Sequence, residues 1–222
     1  IWDLAGQPQF SQVRPLYYRG ARAAIAVFDL SRKETFFALP KWINELWKNA
    51  AVFVSRCRNK RDGGFITAPG KSVATAPMGR TGSIMLKSYG SATCAGVATL
   101  LLCNIDKENE LVKSGIKWIA DNFTTKSNPV LGPKERFLYY YLLAKALSLY
   151  GSTQIKSEDK SIHWVKELSQ YLISIQKSDG HWENEEAIKR TKKKKEVLPE
   201  SNPVLTTAYA VMALSICDKM MK

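Results

Sequence analysis

His163, His181 and the thiols of Cys57, Cys94, Cys103 and Cys217 are the side chains here best suited to hold a metal or attack as nucleophiles near neutral pH. No two cysteines stand at close ligand spacing, and three of the four lie in apolar sequence. They are expected as buried thiols, with no metal and no disulfide. His163 is expected at the start of a helix and His181 inside a turn, neither on a face shared with Cys94 or Cys103. Asp106, Asp121, Asp159 and Asp218 fall at the ends or outer faces of expected helices, where a carboxylate is solvated. Protonating an alkene needs a carboxylic acid kept neutral in an apolar cavity, and no Asp-x-Asp-Asp cluster supplies one. Ala68-Pro69-Gly70-Lys71-Ser72 ends like a phosphate loop but lacks the first Gly at the required spacing.

A second group consists of Tyr89, Thr93, Glu135, Tyr140, Tyr141, Lys145, Thr206 and Tyr209, carried by three strongly apolar runs. These runs must position them. Ser88 to Cys103 is apolar nearly all round and rich in small residues, which suits a helix packed on several sides. Pro133 opens a helix expected to run to Tyr150 with Gly151 as its stop, and Pro203 opens another to Met220. Between them Lys107 to Phe123 and Ser161 to Lys177 are amphipathic. The expected arrangement is three inner helices backed by two outer ones, recurring at about sixty residues, within the range of helical repeats. Aromatic faces on the inner helices could stabilise a cation, although aromatics on buried helices usually serve the core.

Two turns join this pattern. Gln176-Lys177-Ser178-Asp179-Gly180-His181-Trp182 and the weaker copy Asn59-Lys60-Arg61-Asp62-Gly63-Gly64-Phe65 each place an amide three residues before Asp-Gly and an aromatic two residues after that Gly. Asp-Gly tolerates positive φ, the amide can bond helix-end backbone, and the ring can fold back over the turn. The Gln176, Asp179, Gly180 and Trp182 set is read as a structural repeat turn. Together with Ser88 to Gly96, Leu138 to Tyr141 and Asn202 to Ala210, these turns resemble the repeats of the terpenoid cyclase and prenyltransferase family, over roughly residues 51–222. The resemblance implies a partial α/α toroid. It also implies a concave face lined by Tyr89, Thr93, Tyr140, Tyr141, Thr206 and Tyr209, able to take an apolar small molecule or a partner. A partial ring implies self-association or a further domain to complete it.

The first fifty residues read differently. Ile1-Trp2-Asp3-Leu4-Ala5-Gly6-Gln7, Tyr17 to Ala21, Ala24 to Asp29 and Thr35-Phe36 resemble the middle of a Rab/Ras-type small GTPase. The resemblance implies that Asp3 helps hold magnesium through water, Gly6 senses the γ-phosphate and Gln7, the one catalytic candidate, orients the attacking water. Asn59, Lys60 and Asp62 also fit that family's guanine-reading motif, although Gly63-Gly64-Phe65 continues as the repeat turn does. Magnesium and GTP are implied cofactors under this reading alone, and the Gly-Lys-Ser/Thr phosphate loop does not occur ahead of Asp3, so weak nucleotide affinity is expected. Ala23 to Leu30 is expected as a buried strand and Glu34 to Ala50 as an amphipathic helix weakened or kinked at Pro40. Two unrelated sequences are expected to meet between Lys48 and Phe53, by natural fusion or by an assembly join.

The fold expected is mainly α, a partial toroid of helical hairpins with a short α/β GTPase-like fragment. Residues 1–50 form that fragment, 51–87 a junction and loop, and 88–222 the repeat domain. The 222 residues are 45% hydrophobic and 24% charged, ordinary for a globular protein, and a cytoplasmic location is the default expectation. Much of the net charge of +13 is concentrated in Lys189 to Lys195, expected as a solvated loop. Lys192 to Lys195 offers a membrane-surface contact, whereas the lack of interleaved aromatics argues against nucleic acid. The favoured function is non-catalytic binding of an apolar ligand or partner. GTP binding and hydrolysis is the alternative, followed by prenyl or terpene transformation.

Overall fold

The computed structural model describes residues 12, 25–78, 83–158, 160–194 and 198–222, and these are mainly helical. The chain divides into two units, Ile1–Phe53 and Val54–Lys222.

In the first unit, helix α1 spans Lys33–Arg56, with the unit boundary inside it. Its entry is a local hydrogen-bond cluster. Ser31 N–H and Oγ–H both donate to Asp29 Oδ1, at 2.8 and 2.6 Å, while Thr35 Oγ1 accepts from Asp29 N–H at 2.9 Å. The helix continues through Pro40 and absorbs Ala51 to Val54, so it is longer than the Glu34 to Ala50 expected. The expected strand from Ala23 to Leu30 does not form over residues 25–30: Ile25 is 91% exposed and Leu30 90%. A strand keeps its extended form by pairing, and among the described residues no strand pairs with this segment.

The second unit opens with a two-stranded antiparallel sheet, β1 Thr75–Met78 against β2 Ser83–Leu86, with Thr75 opposite Leu86. A junction and loop were expected over residues 51–87. Pro77, opposite Ile84, masked the strand in a Gly/Pro/Ser-rich stretch.

Helix α2 (Gly90–Leu102) and helix α4 (Arg136–Tyr150) lie side by side, and helix α7 (Pro203–Met221) packs on the other side of α4. Helix α3 (Glu110–Asp121) backs α2, and helix α5 (Trp164–Ser174) backs α7. The strands β3 (Ile155–Lys156) and β4 (Ser161–Ile162) pair between α4 and α5, so the second amphipathic helix starts at Trp164 and not Ser161. The core is continuous from Phe65 through Val97, Tyr139, Leu143 and Leu147 to Trp164, Leu168 and Leu172, all at most 1% exposed. Burying side chains of this size contributes roughly 1.5–3 kcal/mol each. At the end of α4, Gly151 adopts φ +78 and returns its N–H to Leu147 O and Ser148 O, which is the left-handed stop that Gly makes without strain.

The basic stretch is helical where a loop was expected: α6 spans Glu185–Lys194. Ala187 is buried, and Asn184 Oδ1 accepts from its N–H at 3.2 Å, while Lys189, Arg190, Lys192 and Lys193 face solvent. One packed face and Glu185-Glu186 in the first turn are enough to hold the helix despite its lysines.

Candidate functional site

The two turns share a left-handed Gly but close one residue out of register with each other. In the first, Asn59 N–H donates to Gly64 O at 2.8 Å, Gly63 N–H returns to Asn59 O at 2.9 Å, and Gly63 has φ +80. In the second, Lys177 N–H donates to His181 O and Gly180 N–H to Lys177 O, each at 2.9 Å, with Gly180 at φ +92. Gln176 Nε2 donates to Gly180 O at 2.8 Å, and Asp179 pairs with His181 Nδ1, whose hydrogen bond lowers the Asp179 pKa. Each aromatic then dives inward. Phe65 is 1% exposed and Trp182 4%, and Trp182 Nε1–H donates to Leu172 O at 2.8 Å.

Asn59 and Asp62 are therefore occupied. Asp62 Oδ1 accepts from Ser88 Oγ–H at 2.7 Å and Gly64 N–H at 3.1 Å, while Asn59 Nδ2 donates to Leu86 O at 3.2 Å and approaches Asp62 Oδ2 at 3.3 Å. Lys60 is exposed. The other nucleotide-binding candidates, Asp3, Gly6 and Gln7, lie outside the described residues, as does Lys195 of the basic run.

The inner-helix candidates separate into two sets. Thr93 and Thr206 are fully buried: Thr93 Oγ1 accepts from Phe65 N–H, and Thr206 Oγ1–H donates to Trp182 O at 2.6 Å. Tyr140 is also fully buried, its hydroxyl donating to Thr125 O at 2.6 Å and its ring 6.0 Å from that of Tyr171. Tyr89 is 5% exposed and bonded to Thr67 Oγ1 at 3.0 Å. These four belong to the fabric of the fold. Tyr141 and Tyr209 are instead half-buried and stacked across α4 and α7, with ring centroids 6.1 Å apart and planes 15° from parallel. Burial raises the Tyr209 pKa, and the charges of Glu200 and Glu135 add to the rise. Lys145 is half-buried on α4.

Glu135 sits just before α4 at φ +53 and accepts from Ser91 Oγ–H at 2.7 Å. It belongs to a relay of side chains that had no sequence signature of its own. Asn128 Oδ1 accepts from Ser91 N–H at 3.0 Å at the start of α2, and Glu200 Oε1 accepts from Leu138 N–H at 2.9 Å at the start of α4. Asn184 Nδ2 donates to Glu200 Oε2 at 2.7 Å, and burial raises the Glu200 pKa despite these bonds. Helix α7 is capped by its own Asn202, whose Oδ1 accepts from Val204 N–H at 3.0 Å. The only advance hint was an amide or carboxylate shortly before a proline, as in Asn128-Pro129 and Asn202-Pro203. Among the described residues no group of three or more His, Cys, Asp or Glu side chains is gathered to hold a metal.

Residues 1–64 match the model of the Ras family, which makes this stretch a Ras/Rab-type GTPase segment. Within it the chain is similar to three Ras-related proteins. It is 49% identical over 64 residues to Rab-5B of Dictyostelium discoideum, covering 28% of this chain and 30% of the relative. To Rab-22A of Mus musculus it is 44% identical over 64 residues, 28% of this chain and 33% of the relative. To Rab-31 of Homo sapiens it is 48% identical over 46 residues, 21% and 24% respectively. The chain thus spans a third or less of the length of these curated relatives. No solved structure matches it. The family match runs past the expected join at Lys48 to Phe53 and takes in Asn59 to Asp62. That tetrapeptide falls inside the matched stretch, while its side chains bond to Leu86 and Ser88 of the second unit.

Proposed function

We propose that the second unit is a non-catalytic α/α repeat scaffold of the terpenoid cyclase-like kind, which takes an apolar ligand or partner against its inner helices. The observation that carries this reading is the stacked Tyr141 and Tyr209 pair, whose half-buried rings leave aromatic surface open on two adjacent inner helices. Glu135 and Glu200, whose charges act on Tyr209, are engaged in hydrogen bonds within the fold, so the surface is suited to holding a ligand and not to transforming one. The test is a titration of the full chain with farnesol, followed by tyrosine fluorescence. Saturable binding that weakens at least tenfold in Tyr141→Ala and Tyr209→Ala, with the helical circular dichroism intact, supports the reading. Its absence in the unaltered chain sinks it.

The second reading, GTP binding and hydrolysis with Gln7 orienting water and Asp3 and Gly6 at the magnesium and γ-phosphate, is favoured by the family match over residues 1–64. The hydrogen bonds that engage Asn59 and Asp62 compete with it. GTP and magnesium raising the urea midpoint of the full chain would establish it.

A further inference from the structure

A cleft of about 340 Å³ opens beside the first turn, between the end of β2, the C-terminal end of α3 and the turn before α4, and its lining includes neither Tyr141 nor Tyr209. Its size falls within the usual range for small-molecule sites. Four charged side chains line it: Arg61, Lys87, Asp62 and Asp121. Both carboxylates are already satisfied. Asp62 accepts from Gly64 N–H and Ser88 Oγ–H, and Asp121 accepts from Ser157 Oγ–H at 2.9 Å and pairs with Lys117 at 3.1 Å. The cations are not satisfied. Arg61 reaches only the thioether of Met78, at 3.5 Å, and the Lys87 ammonium has no ion pair or hydrogen bond among the described residues. The unused hydrogen-bonding capacity of the cleft therefore lies on its two cations, with Asp62 keeping its negative charge beside them.

Apart from Asn59, Ser88 and Asn122, the remaining lining is apolar. Trp118, 5% exposed, lines the cleft together with Leu86 and Val130. Val130 is the unexpected member. It has φ +71 in the turn from Asn128 to Leu131, at the position after Pro129 that ordinarily takes Gly or Asn, and Leu131 N–H donates to Asn128 O at 3.1 Å. A β-branched residue there is strained, and such strain is held at ligand sites more often than elsewhere. Here it sets an isopropyl group, 52% exposed, on the wall of the cleft.

We propose that this cleft binds a planar organic anion, its ring against Trp118 and Val130 and its carboxylate or phosphate between Arg61 and Lys87. The site is distinct from the inner-helix face and stands or falls without it.

The test uses the full chain in calorimetric titrations with two planar anions from different sources, indole-3-acetate and adenosine monophosphate, and with their neutral counterparts, indole-3-acetamide and adenosine. At least one anion is expected to bind saturably at one per chain, at least tenfold tighter than its neutral counterpart. Arg61→Gln and Lys87→Gln should each weaken it about 3- to 10-fold, with unchanged circular dichroism because both side chains reach solvent. Val130→Gly should weaken binding while holding or raising the urea midpoint, since Gly relieves the strain. Three results would each overturn the proposal: no saturable binding of either anion at millimolar concentration, equal affinity for the neutral counterparts, or affinity indifferent to both charge-removing substitutions.

Discussion

Phe65 N–H donates to Thr93 Oγ1 at 3.1 Å, tying the residue after the first turn to the helix that follows it. Trp182 N–H makes the same bond to Thr207 Oγ1 at 3.0 Å, 25 residues apart where the first pair is 28. A buried N–H that loses its acceptor costs about 1–3 kcal/mol, so Thr93→Val should lower stability by that amount at nearly constant side-chain volume. Urea unfolding followed by tryptophan fluorescence measures it. A change under about 0.5 kcal/mol would mean that the bond is replaced by water and that the turn is not stapled as described.

Gly96 is the point where α2 receives the Phe65 ring. A Cβ there would stand 2.7 Å from Phe65 Cγ, in a site where the ring is 1% exposed and has no room to retreat. Gly96→Ala is expected to destabilise the chain by roughly 1–3 kcal/mol, as overpacking does. Combining it with Phe65→Leu should recover part of that loss, and strict additivity of the two changes would argue against the contact.

Burial raises the Glu200 pKa above the ordinary glutamate range. In the window between that range and the raised native value, the folded chain keeps a proton that the unfolded chain has released. The contribution of Glu200 to stability therefore falls as pH rises through the window and levels off above it. Glu200→Gln removes this slope. The stability of the variant relative to the unaltered chain should improve as pH rises through the window, measured as paired urea midpoints. A difference constant with pH would show that Glu200 titrates as it does in the unfolded chain.

Cys94 and Cys217 are fully buried, and burial pushes both thiols up, Cys217 to about 11. Neither forms thiolate in the native state near pH 8, and neither is accessible. Both are expected to resist iodoacetamide under native conditions and to react once urea passes the midpoint, with mass spectrometry locating the label. Prompt native labelling of Cys94 would show that α2 opens locally at low cost.

The helices were legible because their periods are local. Ser88 to Cys103, apolar all round, and Lys107 to Phe123, amphipathic, announced an inner and an outer element without reference to the rest of the chain. The Gly151 stop and the left-handed Gly63 and Gly180 were legible for the same reason, since the backbone bonds there close within five residues. What escaped notice depends on distance. Leu138 and Glu200 meet across 62 positions, and Ser91 and Asn128 across 37, with no periodic signature on either side. Strand expectations failed where pairing decides: Ile25 to Leu30 has strand composition but no paired neighbour, while Thr75 to Met78 has poor composition and a partner. Tyr140 and Tyr141 show the limit for the site, since adjacent and chemically identical residues end up fully buried and half-buried.

The capping relay also has a direction in time. The start of α2 is held by Asn128, and the start of α4 by Glu200, each from residues synthesised later, while α7 carries its own Asn202. A chain leaving the ribosome would therefore expose α2 with loose leading amides until the segment carrying Asn128 had emerged. Helices α3 and α7, capped by Asn109 and Asn202, need no successor to finish their first turns.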